Sequence, residues 1–149
     1  SVLQVFESSL VAVTALALFI PLLVGTGGNV GAQAATSAVR ALAVGEVRPS
    51  DALRVSWRES RVGLLLGLVL GSLAFVAGWL VAGIGVGITV GVSVVLVCIW
   101  AATVGAVMPL MARALNIDPA VISAPLVTTL VDATGLLIYF GVAGLVLSL

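Results

Sequence analysis

The sequence has no histidine, no lysine and a single cysteine, and only 8% of its 149 residues are charged. Each shortage excludes something. Soluble domains carry roughly 25% charged residues, so too few polar side chains remain here to cover a water-facing surface, and the expected solvent is lipid. A structural zinc site needs about four nitrogen or sulfur ligands, which this chain does not supply. Cys98, between Val97 and Ile99, reads as a lone buried thiol, not a ligand or a disulfide partner. An intramembrane hydrolase would want a second carboxylate, a histidine or a serine with its base, and the last apolar run offers only one acid, so no enzyme is expected. No nucleic-acid partner is expected either.

What remains is apolar: 62% hydrophobic residues, a mean hydropathy of +1.35 and seventeen glycines, which suit close helix packing in lipid. Four runs each reach the ~20 residues that cross a ~30 Å hydrocarbon core. They cover residues 9–44, 62–82, 85–111 and 119–149. They are too long for strands and do not alternate in polarity. The expected fold class is an all-α membrane protein, a polytopic bundle of transmembrane helices in one domain, 1–149. With no basic leader and no Met at Ser1–Leu3, the chain is expected to begin partway through a longer protein, with a preceding helix missing.

Arginine placement sets an orientation. Arg40, Arg48, Arg54, Arg58 and Arg61 cluster between the first two runs, and Arg113 follows the third. The positive-inside rule places loops 45–61 and 112–118 in the cytoplasm and the C-terminus outside, in a multi-pass protein of the cell (inner) membrane. Pro49–Arg61 reads as a short amphipathic helix feeding the second run, with Ser50 or Asp51 as N-cap. It is either an interfacial face with Trp57 at the headgroups or a docking surface for another domain. Asp118-Pro119 reads as the start of the fourth helix. Gly63, Gly67 and Gly71 form a small-residue ridge for close approach of a neighbouring helix, and glycines between 82 and 91 suggest a tight turn between runs two and three.

Asp132 is the most informative residue. It lies in the middle of the last apolar run, where an ionised group costs roughly 2.5–3.5 kcal/mol even on lenient scales. Ala124, Thr128, Asp132, Gly135 and Tyr139 recur at helical spacing and share one helix side. No intramembrane Arg, Lys or His is available as counter-charge, so a transient cation is the expected partner. Asp132 as a buried structural acid, bonded to Thr128, is the alternative. Pro125 is expected inside the helix, freeing the Val121 carbonyl. The run Pro21-Leu-Leu-Val-Gly25-Thr-Gly-Gly28-Asn29-Val-Gly-Ala-Gln33 is expected to interrupt the first helix at Gly25–Asn29 and to present amides and carbonyls to a pathway. A packing motif is the alternative, and a phosphate cradle is disfavoured because no Gly-Lys-Ser/Thr follows. Mg²⁺ holds its waters tightly, so a hydrated ion bound by Asp132, Asn29 and backbone carbonyls suits one carboxylate per chain. A two-fold axis would double the charge, which makes a homodimer attractive.

Pro21–Gln33, continued through Ala34–Glu46, closely resembles the signature of the MgtE family of magnesium channels and transporters. Asp118–Gly135, with Pro125 and Asp132, resembles that family's last transmembrane helix. The two motifs stand in the family's order, and the likeness covers nearly the whole chain. The resemblance implies a homodimeric Mg²⁺-conducting pore with five helices per subunit, of which this chain shows four. It implies that Asp132 lines the pore and holds hydrated Mg²⁺, the transported ion. It places Gly25, Gly28, Asn29 and Thr36 on the helix facing that site, with Ala124, Thr128 and Gly135 along the opposite wall. The family often has Asn where this chain has Ala124, so the implied polar contact at the pore entrance is not supplied here. Cytosolic regulatory domains of the family lie outside these residues. Beside Mg²⁺ permeation, a proton- or sodium-coupled carrier that titrates Asp132, and a non-transporting assembly module with Asp132 as helix glue, stay open on residues alone.

Overall fold

A computed structural model describes the backbone of residues 2–121 and 124–147 and the side chains of 14–121 and 124–147. Four helices account for nearly all of it: α1 (Val2–Ala43), α2 (Ala52–Ala82), α3 (Ile84–Ala114) and α4 (Ala124–Leu147), with one-turn 3-10 segments at Pro49–Asp51 and Pro119–Val121. There is no strand among the described residues. Four segments, Thr14–Ala43, Pro49–Ala82, Ile84–Ala114 and Ala124–Leu147, are long and apolar enough to cross a membrane. The protein is an all-α, multi-pass membrane bundle.

The helix ends follow from local chemistry. At the end of α1, Glu46 N–H donates to Ala41 O at 3.0 Å, with Gly45 at φ 76°. At the end of α3, Ile117 N–H donates to Ala112 O at 2.9 Å, with Asn116 at φ 58°. Both are left-handed closures that satisfy last-turn carbonyls, built on the two residue types that tolerate positive φ. Between α2 and α3 the chain reverses at one residue, Gly83 (φ 88°), whose N–H donates to Trp79 O at 2.9 Å. The expected tight turn is therefore sharper than the glycine spread suggested. Gly85, Gly87 and Gly91 belong to α3.

Helix α3 is the core. Val90, Cys98, Ala101 and Leu110 are wholly buried, as befits a helix apolar on every side. The α2–α3 hairpin packs backbone on backbone. A Cβ on Gly63 would lie 2.6 Å from Cys98 O, one on Gly67 2.9 Å from Val95 Cα, and one on Gly71 2.8 Å from Gly91 O. The glycine ridge thus meets α3, and Gly78, Gly87 and Gly91 extend it. On the other side of α3, Gly105 admits the backbone of α1 at Gly31.

Three local expectations are corrected. The Gly25–Asn29 run does not interrupt α1, which is helical throughout. Gly27 and the nearby Gly31 pack against neighbouring helices instead: a Cβ on Gly27 would sit 2.6 Å from Val97 Cγ1, and one on Gly31 3.1 Å from Val127 Cγ1. Helix α4 starts at Ala124, not at Pro119. Asp118 still caps, its Oδ1 accepting from Ala120 N–H at 2.9 Å, but it caps a 3-10 turn. Pro125 is therefore the second residue of α4, where no intrahelical N–H is required, and it frees no carbonyl in mid-helix. The amphipathic segment after Pro49 joins the second run as the single helix α2, with Asp51 at its N-cap position. The C-terminal residue Leu149 lies outside the described residues.

Candidate ion site between two helices

Helices α1 and α4 run antiparallel and meet along their length. At one end Tyr139 is fully buried and its hydroxyl donates to Leu16 O at 2.9 Å. In the middle Gly28 faces Asp132: a Cβ on Gly28 would lie 3.3 Å from Asp132 Oδ1 and 3.5 Å from Thr128 Cγ2. Toward the other end the two helices part around a cavity of about 390 Å³ lined by Thr36, Arg40, Ala120 and Ala124. That end also carries the loops after α1 and α3, so all six arginines gather on one side of the bundle.

Asp132 sits at the closing point of this wedge. Its Oδ1 is shielded from solvent and has no hydrogen-bond partner among the described residues. Thr128, one turn away, does not serve it, because its hydroxyl donates to Pro125 O at 2.9 Å. Thr129 donates to the same carbonyl at 2.9 Å. No arginine approaches: the one ion pair among the described residues joins neighbours Arg58 and Glu59 at 3.1 Å. The described residues hold no cluster of three or more His, Cys, Asp or Glu side chains. A single carboxylate beside a hydroxyl suits a cation that keeps its water.

The other expected site residues divide. Gly28 and Thr128 join Asp132, while Thr36 and Ala124 line the cavity below it. Gly25 faces open space, with nothing within 4 Å of where a Cβ would stand. Asn29 does not join Asp132 within the chain. One residue on from Gly28 is ~100° around a helix, and that turn carries Asn29 into a groove with Gln33, Ser37, Glu59 and Leu66. Gly135 is also displaced from the expected wall: it is buried, and a Cβ there would lie 3.6 Å from Val97, in contact with α3. The stripe Ala124–Tyr139 is thus open at its first residues and closed at its last, because α1 converges on α4 toward Leu16. Glu59 was not anticipated as part of any groove. The signal was present, since Asn29, Gln33 and Ser37 recur at steps of four on one face of α1.

Known proteins resemble this chain along nearly its whole length. Residues 20–142 match the family described as MgtE, divalent cation transporter. The magnesium transporter MgtE of Thermus thermophilus is 50% identical over 147 residues, 99% of this chain and 33% of that protein. Those of Bacillus subtilis and Enterococcus faecalis are 35% and 34% identical over 96% and 97% of this chain, each match covering 32% of the relative. The chain spans about a third of the length of these relatives, and within that third it is a member of the MgtE family of divalent cation transporters.

Proposed function

We propose that this chain forms one half of a homodimeric pore that passes hydrated Mg²⁺ into the cytoplasm, with Asp132 as the mid-membrane ion site. The observation that carries the proposal is the unpartnered Asp132 Oδ1, shielded from solvent and set against Gly28 in an apolar helix. A carboxylate at that depth needs a compensating charge, and no arginine of this chain reaches it. A second copy related by a two-fold axis would bring two Asp132 carboxylates toward one ion and balance a divalent charge. The ion's hydration waters would then donate hydrogen bonds to the Asp132 carboxylates and to the Thr128 hydroxyl oxygens.

In this reading the cavity bounded by Thr36 and Ala124 is the cytoplasmic vestibule. The positive-inside rule, applied to the arginines at that end of the bundle, supports a cytoplasmic location, and Arg40 in its lining discourages ions from lingering there. The inward driving force is large: a divalent ion gains about 4.6 kcal/mol per 100 mV of inside-negative potential. A pore therefore needs no coupled proton or sodium ion.

The test is Mg²⁺ uptake into proteoliposomes holding the wild-type protein or Asp132→Ala. The proposal expects uptake that follows an imposed potential and collapses in the variant. Wild-type uptake by Asp132→Ala, or uptake that requires a proton or sodium gradient, contradicts it.

A further inference from the structure

A second feature is unrelated to Asp132. Helices α1 and α2 splay apart over α3 and leave a crevice along the outside of the bundle. Its upper part is a charged cavity of about 240 Å³ at the arginine-bearing end, with Glu46, Asp51, Arg54 and Arg58 on its walls. Its lower part is the groove of about 270 Å³ described above, where Val30, Val62, Leu66 and Ala102 line it together with the polar Asn29, Gln33 and Glu59. A narrow neck joins them. Ala41, Val55 and Arg58 line both the cavity and the neck, and Ala34, Ser37 and Glu59 line both the neck and the groove.

We infer that this crevice binds one phospholipid with an amine-bearing headgroup, phosphatidylethanolamine in kind, in the arginine-side leaflet. The dimensions match. From Asp51 to Leu66 along α2 is fifteen residues, about 22 Å at ~1.5 Å per residue. One leaflet with its headgroups is half of ~40–45 Å. The charges match too. Among the described residues Arg54 makes no ion pair or side-chain hydrogen bond, which leaves it to take a phosphate, whereas Arg58 is shared with Glu59 at 3.1 Å. Basic pockets between membrane helices on the cytoplasmic side favour such phosphates.

A purely anionic headgroup would meet two carboxylates in the same cavity. Glu46 is unpaired, and Asp51 spends one oxygen on Arg48 N–H at 2.8 Å. An ammonium group beside the phosphate satisfies both signs at once. Ser37, one turn below Ala41, offers a hydroxyl at the depth of the glycerol esters. Trp57, exposed on the same helix, stands at the interface where indoles anchor.

The experiment is native mass spectrometry of the full chain in mild detergent. Phosphatidylethanolamine and phosphatidylglycerol with identical acyl chains are offered in equal amounts. The wild-type protein should retain the ethanolamine lipid about tenfold better. Arg54→Gln with Arg58→Gln should lose retention of both lipids at least tenfold. Glu46→Gln should keep phosphatidylglycerol and lose the preference. Val62→Trp, which fills the groove, should lower retention with the cavity charges intact. Helical content and unfolding temperature, measured in parallel, show whether each variant is folded. Equal retention of the two lipids by wild type, preference for phosphatidylglycerol, or unchanged retention in the folded double arginine variant overturns the inference. The readout is lipid mass, so it stands or fails independently of ion flux.

Discussion

Adding one methyl group at Gly28 separates the ion site from the scaffold. In Gly28→Ala the new Cβ falls 3.3 Å from Asp132 Oδ1 and 3.5 Å from Thr128 Cγ2. Those distances are tight but not forbidden, and both neighbours are side chains that shift by a few tenths of an ångström. Alanine in a helix interior is favoured over glycine by about 1 kcal/mol, which offsets the crowding, so stability should stay near wild type. The carboxylate does not escape so lightly. It is pushed off the position it holds against α1, and the methyl takes space that ion hydration would use. A displacement that weakens ion binding by about 1.4 kcal/mol lowers affinity tenfold, and Mg²⁺ uptake in proteoliposomes should fall by about that factor. Gly25→Ala is the matched control, because nothing lies within 4 Å of its Cβ position, and its uptake should be close to normal. Wild-type uptake by folded Gly28→Ala refutes the placement of the ion path along this contact. So does an equal loss in Gly25→Ala accompanied by unfolding of both.

Gly63→Ala should instead act on the scaffold. Its Cβ would stand 2.6 Å from Cys98 O and 2.8 Å from Ile99 Cα, backbone atoms that do not give, and overpacking of that kind costs about 1–3 kcal/mol. A lower unfolding temperature in detergent checks it. Gly105→Ala, aimed at the Gly31 carbonyl, should behave alike, whereas Gly141→Ala, with open space around it, should not. Tyr139→Phe removes the buried hydroxyl that donates to Leu16 O. A loss of about 0.5–1.5 kcal/mol is expected, seen as a lower unfolding temperature with uptake retained.

Much of this architecture was legible in the residues. Run length and the shortage of charge identify membrane helices, and the ridge Gly63–Gly71 announces a close neighbour. The gathering of six arginines at one end follows from where the apolar runs stop. The site was legible in its centre, since a carboxylate with no counter-ion in an apolar run stands out before any contact is known. Its edges were not. A run of glycines reads equally as a break or as a packing face, and only the positions of Val97, Val127 and Val131 decide for the face. Asn29 and Gly28 are adjacent in sequence but point ~100° apart, so their separation into two grooves depends on how α1 is rotated against α3. Gly135 and Tyr139 share the face of Asp132 by spacing. Their burial, Gly135 against Val97 of α3 and Tyr139 against Leu16 of α1, is a tertiary fact with no local signal.

The most direct test of the ion site is calorimetric titration of Mg²⁺ into the purified protein and into Asp132→Asn, which keeps the side chain's shape and removes its charge. Saturable binding by the wild type that vanishes in the folded variant is the predicted result. Matching isotherms for the two proteins would show that the ion is held elsewhere.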